Sequence, residues 1–115
     1  MLKVLAVAVA LAAVPTLASA DGNAEKGKTV FTQFCATCHG NAGKGDGPAA
    51  AALTPKPRDL TDKAYLSGLK DDYLTKVIKN GGTAVGKSAL MPPWAASLKD
   101  GDVVDVIAHI RGLAK

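Results

Sequence analysis

The chain has 115 residues, 14 Lys and Arg against 10 Asp and Glu, and a formal net charge of +4 at neutral pH. That length allows one domain, and a mild positive charge with no dense Lys/Arg block does not suggest nucleic-acid binding. Two cysteines permit one disulfide at most, which excludes a disulfide-stapled scaffold.

The first twenty residues read as a secretory leader. Lys3 supplies a positive charge, Leu5 to Val14 is an unbroken apolar run, Pro15 interrupts it, and Ala18-Ser19-Ala20 is a small-x-small site. The run is shorter than the roughly 20 apolar residues that a spanning helix needs. Residues 1–20 are therefore expected to be a cleaved signal peptide and residues 21–115 the mature domain, exported to the periplasm. An uncleaved N-terminal anchor is the alternative. The mature chain has few large side chains: its aromatics are Phe31, Phe34, Tyr65, Tyr73 and Trp94. A domain this small is marginal without a staple, and a large apolar cofactor would fill its core better than one disulfide.

In chain order, residues 24–34 read as a short helix with Val30, Phe31 and Phe34 on one side. Cys35 to His39 closes it. Gly40 to Ala52 is a Gly- and Ala-rich loop, and Thr54-Pro55-Lys56-Pro57 is extended because its prolines forbid helix. Asp62 is placed to cap a short helix through Leu66. Asp71 or Asp72 starts another, with Leu74, Val77 and Ile78 inward, and Gly81-Gly82 ends it. A loop from Thr83 to Trp94 follows. Asp100 is expected to cap a final helix whose apolar stripe is Val103, Val106, Ile107, Ile110 and Leu113. No β-alternation or repeat is visible, so the fold class is all-α, built from short helices that need tertiary support.

Cys35-Ala36-Thr37-Cys38-His39 is C-x-x-C-H, the signature of c-type haem attachment. Two thiols at this spacing add to the two haem vinyl groups as thioethers, and the adjacent histidine donates a ring nitrogen to the iron. A thiol oxidoreductase would want a βαβ setting around its C-x-x-C. Zinc would want four ligands, and the mature chain offers only Cys35, Cys38, His39 and His109 of the soft or imidazole kind. A second axial ligand is expected from Met91, the only methionine after the leader. It sits in a loop that Pro92 and Pro93 stiffen. His109, beside the apolar stripe of the last helix, reads as a packing residue, and a lysine is a further alternative ligand.

With these residues in place, the stretch from 23 to 114 resembles a class I bacterial cytochrome c of the small soluble monohaem type. Gly27 and Phe31 match the family's N-terminal helix, whose glycine lets the C-terminal helix cross closely. Cys35, Cys38 and His39 match its attachment site, and Met91-Pro92-Pro93 its distal-ligand loop. The resemblance implies a small cytochrome c fold of short helices wrapped around one covalently bound haem c. It also implies that the carbonyl of Pro48 accepts a hydrogen bond from the proximal histidine, with Pro55 and Pro57 as neighbouring competitors. Two departures stand out: His109 occupies a position where the family's final helix usually carries an aromatic, and the stretch 49–60 is longer than in the most compact members.

The function so implied is single-electron transfer between redox proteins by a monomer that is not itself an enzyme. Arg58, Lys56 and Trp94 are candidates to meet the haem propionates, and Ala42, Ala84 and Ala89 to rim the haem edge. Contact with membranes is expected only through docking to membrane-bound redox complexes. A haem subunit of a larger periplasmic oxidoreductase and a gas-binding haem protein are the alternatives. Residues 81–88, Gly-Gly-Thr-Ala-Val-Gly-Lys-Ser, satisfy the Walker A pattern. A helix precedes them instead of a strand and two prolines follow, so nucleotide binding is not expected.

Overall fold

The computed structural model describes residues 2–10 and 22–115. Residues 2–10 have no regular secondary structure and are exposed; the expected cleavage site at Ala18-Ser19-Ala20 lies outside the described residues. Five helices follow: α1 (Ala24–Phe34), α2 (Ala36–His39), α3 (Lys63–Ser67), α4 (Asp71–Asn80) and α5 (Asp100–Leu113). Two 3-10 turns, Ala50–Ala52 and Gly82–Val85, punctuate the loops. Among the described residues there is no strand, and no helix long and apolar enough to cross a membrane.

The termini of the helices follow local chemistry. The Asn23 side chain accepts hydrogen bonds from the amides of Glu25 and Lys26 and so satisfies two orphan donors of α1. Asp62 does the same for Tyr65 at the start of α3. Gly81 ends α4 with φ of 85°, a conformation that a side chain would strain. The final helix corrects one expectation. Lys99 is its N-cap, Asp100 is its first residue, and the Asp102 carboxylate accepts the Lys99 amide at 2.9 Å. Lying one position inside the helix, Asp100 reaches outward to Lys79 at 2.7 Å and ties α5 to α4.

The core sits where α1 crosses α5. Gly27 lies directly against the backbone carbonyl of Asp105, an approach that leaves no room for a Cβ. The Asn23 amide donates to the Asp105 carboxylate at 2.8 Å across the same crossing. Phe31, Val103 and Val106 are buried to within about one per cent of full coverage beside it. Burying a side chain such as Phe31 contributes about 1.5–3 kcal/mol. The expected stripe of α5 is present: Val103, Val106, Ile107 and Ile110 are buried, and Leu113 packs at its margin.

Candidate functional site

One wall of this core is missing. Between α2, the 53–60 loop, α4 and the 82–94 loop lies a cleft of about 360 Å3, the size of an ordinary cofactor pocket. Its lining is mostly apolar. Phe31 and Phe34 come from α1, Leu69, Leu74, Val77 and Ile78 from α4 and the turn before it, and Ile110 from α5. No side chain among the described residues fills this space, which suits a large apolar group.

The sequence motifs converge here. Cys35, Cys38 and His39 all line the cleft, and so does Met91. The cysteines are presented by the one-turn α2, whose amides return to Cys35 and Ala36: those of Cys38 and His39 donate to the Cys35 carbonyl, and that of Gly40 to the Ala36 carbonyl. Met91 is held by its backbone. Its carbonyl accepts the Gly82 amide at 3.0 Å, and its amide donates to Ser88. Further along the loop, the amides of Trp94 and Ala95 donate to the carbonyls of Ile78 and Lys79. These are last-turn carbonyls of α4, which otherwise lack helical partners. The methionine loop is therefore docked onto the end of α4.

The electrostatics favour ligation over thiol redox chemistry. Burial, with Cys38 beside it, pushes the Cys35 thiol up to about 11. A catalytic C-x-x-C needs the opposite shift. Burial likewise lowers the pKa of His39, against which the Arg58 backbone carbonyl pulls it up. The net direction favours the neutral imidazole, the form that binds metal. The Nδ1 atom of His39 is buried and makes no hydrogen bond of good geometry, although the Arg58 carbonyl is near enough to influence the ring. Among the described residues, no three His, Cys, Asp or Glu side chains converge to hold a metal ion.

Other expected residues fall variously. Arg58, Lys56 and Trp94 line the cleft. The Arg58 guanidinium lies over the Tyr65 ring, 3.8 Å from its centre, and Trp94 meets Phe34 edge to face at 5.5 Å. Pro48 is exposed and outside the cleft wall, which takes Pro55 and Pro57 instead. Ala42, Ala84 and Ala89 are also outside it, and Lys87, Ser88 and Leu90 stand at the rim. The Gly81–Ser88 segment forms a 3-10 turn after a helix, not a phosphate loop. Tyr65 and Tyr73 were not anticipated as cleft residues. Burial raises the pKa of Tyr73, and the neighbouring Tyr65 raises it further. Two of only five aromatics flanking the α3–α4 corner is a signal that could have pointed to them.

The family model for cytochrome c matches residues 24–114. Cytochrome c-554(547) of Halothiobacillus neapolitanus is 36% identical over 94 residues, covering 80% of this chain and 98% of that protein. The cbb3-type cytochrome c oxidase subunit FixPc of Rhizobium leguminosarum bv. viciae is 33% identical over 95 residues, but the match spans only 29% of its length. In structure, a chain of the Kuenenia stuttgartiensis reducing HAO-like protein complex Kustc0457/Kustc0458 superposes with a TM-score of 0.66. It is 25% identical, and the match covers 82% of this chain and 44% of that one. A c-type cytochrome, KustC0563, shares the fold at a TM-score of 0.63 and 22% identity, covering 77% of this chain and 98% of its own. The cleft, the C-x-x-C-H turn and these matches agree: the chain belongs to the cytochrome c family, whose members bind haem c covalently and carry electrons.

Proposed function

We propose that the protein is an exported, periplasmic carrier of single electrons, released from its leader after Ala20 and holding one haem between His39 and Met91. The observation that carries this reading is that both cysteines, His39 and Met91 line one apolar cleft. When bound, haem supplies a reversible one-electron couple. Cys35, the N-cap of α2, and Cys38 within it would anchor the haem through thioethers. His39 and Met91 would hold the iron through an imidazole nitrogen and a thioether sulfur, leaving no position for an exchangeable ligand. A thioether and a neutral imidazole add no negative charge to the iron, which favours its reduced form over what anionic ligands would give.

The remaining residues tune the site. The Arg58 carbonyl is the acceptor we assign to the buried nitrogen of His39, the role the resemblance gave to Pro48. The Arg58 guanidinium, braced on the Tyr65 ring, offers its planar donors to a propionate, and Trp94 offers its indole N–H. Phe34, Val77 and Ile78 keep water from the iron. Redox proteins dock briefly at the cleft mouth, where Lys56 and Lys87 stand. A second reading, a haem subunit of a larger oxidoreductase, is favoured by the likeness to the oxidase subunit FixPc. Co-purification with a catalytic partner would support it.

Carbon monoxide distinguishes a carrier from a gas-binding protein. The reduced native protein should show no spectral change under carbon monoxide at neutral pH. Rapid stoichiometric binding would contradict a closed iron.

A further inference from the structure

The cleft wall formed by α3 and the start of α4 is packed into the core by Leu66 and Leu74, but its backbone between them needs ties of its own. α3 has five residues, far too few to persist alone. Yet the corner from Tyr65 to Leu74 carries four cleft residues: Tyr65, Leu69, Tyr73 and Leu74. One side chain reaches it from across the core. Arg111, in the last turn of α5, donates from Nη1 to the Leu66 carbonyl and from Nη2 to the Leu69 carbonyl. Its Nε and Nη2 also meet the Asp71 carboxylate, at 3.1 and 2.8 Å. A single guanidinium thus joins the end of α3, the connecting turn and the first residue of α4.

We propose that Arg111 is a positioning residue for the haem cleft, fixing the α3–α4 corner against α5 through its two carbonyl bonds. The planar fork matters more than the charge. Asp71 is 64% exposed, and a pair so open to solvent contributes little. The carbonyl bonds are charge-assisted and part-buried; the Leu66 carbonyl also accepts the Leu69 amide, so Arg111 adds a second, stronger donor there. A lysine would keep the charge and lose the fork. The neighbouring residue, Ile110, lines the cleft itself. The turn of α5 that closes one wall therefore also pins another. When the corner loosens, water enters the cleft beside Leu69 and Leu74. Water stabilises the more highly charged oxidised iron, so the reduction potential falls.

This inference rests on the haem reading of the cleft, and its first readout does not depend on Met91. Native-state hydrogen exchange on holoprotein should show the amides of Gly68, Leu69 and Leu74 exchanging at least ten-fold faster in Arg111→Lys, with α1 protection unchanged. The reduction potential of the same variant should fall. Arg111→Gln, which keeps a neutral donor, should lie between it and wild type. Asp71→Asn should leave most of the protection in place, because the carbonyl bonds survive. Uniform acceleration across all helices with an unchanged potential would overturn the proposal, as would wild-type behaviour of Arg111→Lys. So would an Asp71→Asn variant as perturbed as Arg111→Lys, which would make the ion pair the agent.

Discussion

The ring of His109 packs against that of Phe31, centroids 5.1 Å apart and planes inclined by 58°. The same Phe31 ring lies 6.4 Å from that of His39, so one phenylalanine touches both the haem site and the crossing of the terminal helices. The Nε2 atom of His109 is buried without a hydrogen-bond partner among the described residues. Burial lowers its pKa below 6.5, and Lys28 on α1 lowers it further; the nearest acid on its own helix, Asp105, is engaged by the Asn23 amide.

Such a histidine makes stability depend on pH in a definite direction. The unfolded chain binds the proton more readily than the folded one, so stability rises with pH through this window. The contribution is complete above the ordinary histidine value and is lost as pH falls from there through the lowered folded value. Denaturant titrations of the holoprotein should show this slope on the acid side of pH 6.5, and His109→Phe should make it shallower. Equal slopes in both proteins would show that His109 is not responsible.

Gly27→Ala should destabilise the protein by about 1–3 kcal/mol, the usual penalty for overpacking. The new Cβ would press on the Asp105 carbonyl, and backbone cannot swing aside as a flexible side chain does. In an unconstrained helix the same change would stabilise by roughly 0.5–1 kcal/mol. Chemical denaturation therefore gives opposite signs for a tight and a loose crossing.

How much of this was legible in the sequence depended on the range of the interaction. The helices α1, α3, α4 and α5, the Asp62 cap and the stripe on α5 rest on local spacing, and C-x-x-C-H encodes its chemistry within five residues; α2, which the sequence reads only as the close of α1, is a separate turn. Lys99 was missed as the cap of α5 because Asp100 is the better capping residue by type, and only the reach to Lys79 explains its displacement. The place of Pro48 outside the cleft wall depends on how the longer 49–60 stretch folds back, which no local signal records. Arg111 looks like an ordinary basic residue near a helix end; its partners are 40 to 45 residues away.

The attachment chemistry has its own test. Cys35→Ala or Cys38→Ala should sharply reduce the yield of mature holoprotein, since each removes one thioether from the α2 turn. The double variant should give no haem-stained band on a denaturing gel. Normal yields of stained double variant would remove the basis for covalent attachment at these positions.

Axial ligation by Met91 is the centre of the account, because it separates a closed electron carrier from a haem protein with a free site. Its most direct measurement is the absorption spectrum, extended into the near infrared, of purified Met91→Ala beside the native protein. The account predicts that the variant keeps its covalent haem and loses the low-spin features of methionine ligation. Survival of those features in Met91→Ala would contradict it.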